Sequence, residues 1–147
     1  MNTLPAFALV LSALVLASSA HAADPKKMAG NKRLMDHSNG SLISADEAIQ
    51  VMDENIPEKA WKIVKGSQYV WLSQVEGGMS GTTCVITARV MVLPLTATLN
   101  APLFRPKNTA TTFDAAANSN VDACKALAKA KLKEATLAVA SSVVKLS

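Results

Sequence analysis

At 147 residues, with 50% hydrophobic, 18% charged and 4% aromatic residues and a net charge of +4, the chain supports one domain with a modest core. Two histidines and two cysteines are a poor ligand inventory for a zinc or other transition-metal centre. The aromatic content is also low for a protein that stacks nucleic-acid bases.

Residues 6–17 read AFALVLSALVLA, an uncharged apolar run, followed by SSAHAAD with small residues at Ala20 and Ala22. This is the hydrophobic region and A-x-A cleavage pattern of a secretory signal. A transmembrane helix needs roughly 20 apolar residues, whereas this run is broken by Ser18, Ser19 and His21. No Lys or Arg precedes it, a departure from the usual signal; no Cys follows it at a processing site, so acylation as a lipoprotein is not indicated. The expectation is a signal peptide over residues 1–22, removed to leave a periplasmic or secreted protein with no transmembrane anchor. Cleavage leaves His37 as the sole histidine. It leaves seven basic and seven acidic residues before Gln68 but eight basic against four acidic after it.

The stretch 24–42, DPKKMAGNKRLMDHSNGSL, mixes Lys, Gly, Asn and Ser without helical or strand periodicity. It predicts a flexible basic arm over residues 23–43, ahead of a single folded domain over 44–147. At Ser44 the pattern Ser-Ala-Asp-Glu predicts a reciprocal capping box with Glu47. Ala45, Ala48, Ile49 and Met52 then make one apolar face of a helix that ends near Asn55, because Ile56 precedes Pro57. A second short helix, PEKAWKIVK, opens on Pro57 and stops at Gly66, with Trp61 and Val64 on its buried side.

From Gln68 the texture becomes β. QYVWLSQVE and TTCVITARVMVL, joined by the glycine loop GGMSG, predict a hairpin. In the second strand Cys84, Ile86, Ala88, Val90 and Val92 form the inward face, which turns Arg89 outward. Beyond Pro94, LTATL is expected to resume as a strand and TATTFDA to form the last one. Asn120 or Ser119 then caps a long helix, with Val121, Cys124, Ala128, Leu132, Ala135, Val139 and Val143 on one stripe and Lys125, Lys129 and Lys133 beside it. In an oxidising compartment Cys84 and Cys124 are expected to form a disulfide between the central strand and the first turn of this helix. The predicted class is α+β: an antiparallel three- to four-stranded sheet with N-terminal helices and a long C-terminal helix packed on one face.

No stretch carries a specific catalytic, cofactor or metal motif. Ser142 to Lys145 matches S-x-x-K, but at the end of a helix and without the companion motifs. The loop from Gly77 to Gly81 lacks the Lys-Ser/Thr pair and following helix of a phosphate cradle. Asp46, Glu47, Asp53, Glu54 and Glu58 are explained by helix capping and surface charge. Asn39-Gly40-Ser41 is a glycosylation sequon, relevant only in a eukaryotic secretory path.

Two candidate binding surfaces remain. Lys125, Lys129, Lys131 and Lys133, with Arg105 and Lys107 in the preceding loop, could present a cationic face to an acidic protein, a polymer or a membrane headgroup. Tyr69 and Trp71 share one strand face, which is either binding surface or is covered by a helix. The leading expectation is therefore a non-enzymatic binding protein that docks another envelope or secreted protein as an inhibitor or immunity protein does. A carrier of an apolar ligand or lipid, and a hydrolase of unfamiliar kind using carboxylates and Arg89, are the alternatives; nucleic acid is not an expected partner.

Overall fold

The computed structural model describes residues 26–28 and 31–146; the expected export signal lies outside these residues. The chain runs β1 (Lys26–Met28), β2 (Lys32–Asp36), α1 (Ala45–Asn55), α2 (Glu58–Ile63), β3 (Tyr69–Ser80), β4 (Thr83–Pro94), β5 (Asn108–Ala116) and α3 (Val121–Lys145). The α+β class, the long C-terminal helix and the antiparallel β3-β4-β5 sheet agree with the sequence reading. The sheet order is β1-β2-β3-β4-β5.

The sheet is mixed, not purely antiparallel, because β2 pairs parallel to β3, with Leu34 beside Trp71 and Asp36 beside Ser73. After β2 the chain crosses one face through α1 and α2 before re-entering at β3, and such a crossover returns a strand in its original direction. Part of the stretch read as an arm is thus a strand of the sheet. Its alternation was hidden because Leu34 and Met35 are adjacent and both buried, Leu34 under the helices and Met35 with Val70, Leu72 and Leu93 on the other face. A strand covered on both sides loses the period-two signature.

The capping box at α1 forms as expected: the Glu47 amide donates to Ser44 Oγ, and the Ser44 amide donates to Glu47 Oε2. Ala48, Ile49 and Met52 are buried, whereas Ala45 is exposed. On α3 the Asn120 side chain accepts from the Ala123 amide. Cys124, Ala128, Leu132, Ala135, Val139 and Val143 face the core, while Val121 at the first position of the helix stays exposed. The main core lies between the helices and one sheet face, and includes Trp71, Leu34, Met52, Ile86, Val90 and Leu132.

Two turns differ from expectation. The strands of the β3-β4 hairpin continue through the glycine run and turn at Gly81 and Thr82, with Gly81 at φ +61°. Gly77 sits inside β3 at φ +113°, where an added Cβ would lie 2.0 Å from the Val85 carbonyl oxygen, so this position admits glycine alone. LTATL does not form a strand either. Leu95 makes an isolated bridge to Pro102, and the chain turns between Thr96 and Asn100.

Cys84 and Cys124 are disulfide-bonded with their Cα atoms 5.5 Å apart, joining the start of β4 to the first turn of α3. No helix among the described residues is long and apolar enough to cross a membrane.

Candidate functional site

The side chains singled out from sequence are not gathered into one site. Trp71 is fully buried and packs against Trp61 with ring centroids 5.8 Å apart. It is therefore core and not binding surface, because α1 and α2 cover the strand face that carries it. Tyr69, two residues earlier on that face, lies at the margin of the helical layer and is half-buried. Arg89 points outward from the opposite sheet face, and its Nε donates to Thr111 Oγ1 at 3.3 Å.

The lysines of α3 do not form one free cationic face. Lys129 reaches Glu47 on α1 at 2.6 Å, whereas Lys131 turns the other way to Asp114 on β5 and Glu134. These contacts hold the Glu47 carboxyl down at about 2, with the Lys129 hydrogen bond the largest cause and the Ser44 capping contacts next. They also lower Asp114 and raise Lys131 from their ordinary values through the same hydrogen bonds. Lys125 and Lys133 remain exposed.

Of the five carboxylates weighed from sequence, Asp53 pairs with Lys32 at 2.8 Å and Glu54 accepts from Gln50 Nε2. The buried carboxylate is a different one, Asp36. Its oxygens accept from Ser73 Oγ at 2.6 Å, Ser38 Oγ at 2.5 Å and the Ser38 amide, while Ser38 Oγ accepts from the Val75 amide. These bonds knit the ends of the parallel β2-β3 pair together and occupy the acid with donors. His37 next to it is exposed, and its amide donates to the Ser73 carbonyl. Among the described residues no three His, Cys, Asp or Glu side chains are grouped to hold a metal ion.

The surface that stands out lies at the end of the molecule where β3 begins and β4 and α3 finish. Here the β4-β5 connection, residues 95–107, carries no acidic side chain and holds Leu99, Leu103 and Phe104 in solvent, at 79%, 44% and 71% exposure. The loop is structured. The Thr96 amide donates to the Ala101 carbonyl, Asn100 to Thr96, Leu103 to Pro94 and Lys107 to Val92, all at 3.0 Å or less. The Ala101 amide also donates to Thr96 Oγ1 at 3.1 Å, and Asn100 takes φ +51° at the turn. Arg33 on β2 donates to the Asn100 carbonyl, which carries the loop past the start of β3.

Arg105 follows Phe104 directly and Lys107 ends the loop, while Lys145 precedes the exposed Leu146 at the end of α3. Among the described residues none of these three cations has a carboxylate partner within 4.0 Å. Lys107 Nζ instead lies 5.2 Å from the centre of the Tyr69 ring and donates to its hydroxyl at 3.4 Å. Sequence reasoning found Tyr69, Arg105 and Lys107 but missed Leu99, Leu103 and Phe104. The usable signal was three large apolar residues spaced among Pro and Asn in a segment too irregular to bury them.

No protein-family model and no curated protein sequence matches the chain. Among solved structures it is similar to one described as "a putative lipoprotein from Caulobacter crescentus CB15", with 13% identity and a TM-score of 0.34 over 76% of this chain and 85% of that chain.

Proposed function

We propose that this chain is an extracytoplasmic binding protein that acts without catalysis, docking another envelope macromolecule through the apolar and cationic end formed by the β4-β5 loop. The observation that carries this reading is the outward display of Leu99, Leu103 and Phe104 by a loop whose backbone is hydrogen-bonded in place. Large apolar groups held rigidly in water are disfavoured by roughly 1.5–3 kcal/mol each relative to burial, and a partner that covers them recovers that energy without ordering the loop first. The uncompensated Arg105 and Lys107 beside them suit a partner whose apolar pocket is rimmed by carboxylates. That combination fits a protein that seats a loop in another protein's cleft, as an inhibitor or immunity protein does. The Cys84–Cys124 disulfide supports an oxidising compartment and hence export.

The test uses the mature protein as bait on an envelope extract, beside the double variant Leu99→Ser/Phe104→Ser. The expected result is a stoichiometric complex with the wild type that the variant loses, and whose association slows in Arg105→Glu. Equal capture by wild type and variant, or background alone with both, would refute the reading.

A further inference from the structure

Behind Lys107 the helical layer and the sheet do not close fully, and a cleft of about 300 Å³ opens between them. Its walls are apolar: Ile63 and Val64 from the end of α2, and Val143 and Leu146 from the end of α3. Its mouth is polar, formed by Tyr69, Lys107 and Asn108. Asn108 is tied back to α3 through its Nδ2, which donates to Ser142 Oγ at 3.0 Å, so that edge is fixed. We propose that this cleft binds one molecule of a single-chain anionic amphiphile of the fatty-acid class. Its carboxylate lies on Lys107 Nζ and the Tyr69 hydroxyl, and its chain lies between Val64 and Val143.

Three observations select this ligand. The Lys107 ammonium has three donors, of which one is used on Tyr69 Oη, and no carboxylate among the described residues neutralises it. Charge complementarity at the mouth therefore calls for an anion, and one that can also accept from a phenol. The aliphatic walls offer the rest of the ligand no hydrogen-bonding side chain, which suits a hydrocarbon chain and not a sugar or a peptide. The volume stands at the lower limit of small-molecule sites, about 300–1,000 Å³. That admits one medium-length chain and excludes both chains of a diacyl lipid. A longer chain would leave past Leu146, which is 82% exposed at the open end.

This site shares Lys107 with the docking loop but none of the loop's exposed apolar side chains, so it does not depend on Leu99, Leu103 or Phe104. The test is titration of the full mature protein with dodecanoate, followed by calorimetry and by native mass spectrometry. One-to-one binding is expected, weakened about 10- to 100-fold in Lys107→Ala, the range for loss of a charge-assisted hydrogen bond. Dodecanol, with the same chain and no charge, should bind at least 10-fold more weakly. Ile63→Phe, on a half-buried wall position, should obstruct the cleft while circular dichroism reports an unchanged fold. Leu99→Ser/Phe104→Ser should leave dodecanoate binding intact, which separates this proposal from the docking one. Absence of one-to-one binding, equal affinity for dodecanol, or an unchanged affinity in Lys107→Ala would each overturn it.

Discussion

Removing the Cys84–Cys124 disulfide, by Cys84→Ala/Cys124→Ala or by reduction, tests how far this domain depends on its one covalent staple. The bridge closes a chain segment with a sequence separation of 40 residues. In the chain-entropy model its loss costs about 4 kcal/mol. Both sulfurs are buried, so the double alanine variant also forfeits packing and its effect is at least that large. Globular domains unfold with an entropy of about 2.1 cal/mol/K per residue, which for a folded part of about 115 residues is near 0.24 kcal/mol/K. Four kcal/mol then lowers the midpoint by roughly 17 °C. The assay is thermal unfolding followed by circular dichroism, comparing oxidised, reduced and double-variant protein at one pH. A drop smaller than about 5 °C would refute the reasoning, since it would mean that the strand-helix contacts around Cys84 and Cys124 already restrict the unfolded chain or dominate its stability.

Glu47 has its ionisation held down at about 2 by Lys129 and Ser44, so its contribution to stability is fully present above the usual glutamate range and is lost as pH falls from about 4.5 towards 2. Acid titration of unfolding should therefore show a shallower decline over that window in Glu47→Gln than in the wild type; parallel curves would contradict the linkage. Gly77→Ala places a methyl group 2.0 Å from the Val85 carbonyl oxygen at a φ of +113°. Backbone strain alone at such positions costs about 1–3 kcal/mol, so denaturant unfolding should show at least that loss, and a neutral result would mean that the hairpin backbone relaxes.

The fold places its constraints and its open surface at opposite ends. At the hairpin end the disulfide clamps β4 to α3, and the Glu47–Lys129 and Lys131–Asp114 pairs tie α1 and β5 to the same helix. At the other end α2 is only 6 residues long, and half-buried Ile63 and Tyr69 with exposed Leu146 line an opening at the margin of the core. Leu99, Leu103, Phe104 and Leu146 are exposed there, and Arg105 and Lys107 have no carboxylate partner among the described residues. Binding surfaces commonly sit on loops carried by a rigid scaffold, and the 95–107 loop meets that description, whereas two lysines of the α3 row, Lys129 and Lys131, are drawn into ion pairs.

Several elements were legible from residues alone because their signals are local. Ser44 with Glu47 encodes its own helix start, the apolar stripe from Cys124 to Val143 encodes a helix and its buried side, and the alternation from Cys84 to Val92 encodes a strand with one inward face. The disulfide followed from an even cysteine pair in a chain read as exported, and those two phases agree with it, since both place their cysteine on the side that faces the other. Trp71 was less determinate: pattern fixes which strand face it shares with Tyr69, but whether a helix lies over that face is set by the distant segment 45–63.

Features in which a residue's neighbours in the chain are also its partners in energy could be read before the fold was known: caps, periodic faces and the preference for a cysteine pair to be bridged. Features that depend on non-local pairing could not. The parallel seat of Leu34 beside Trp71 is one, because a strand buried on both faces has no alternation to read. The pairing of Lys129 with Glu47, 82 residues away, is another, since charge along one helix does not reveal which carboxylate approaches it. The display of Leu99 and Phe104 is the third. Their apolar character belongs to the sequence, but their exposure goes with a loop that closes on its own backbone at the end of the sheet and turns these side chains to solvent.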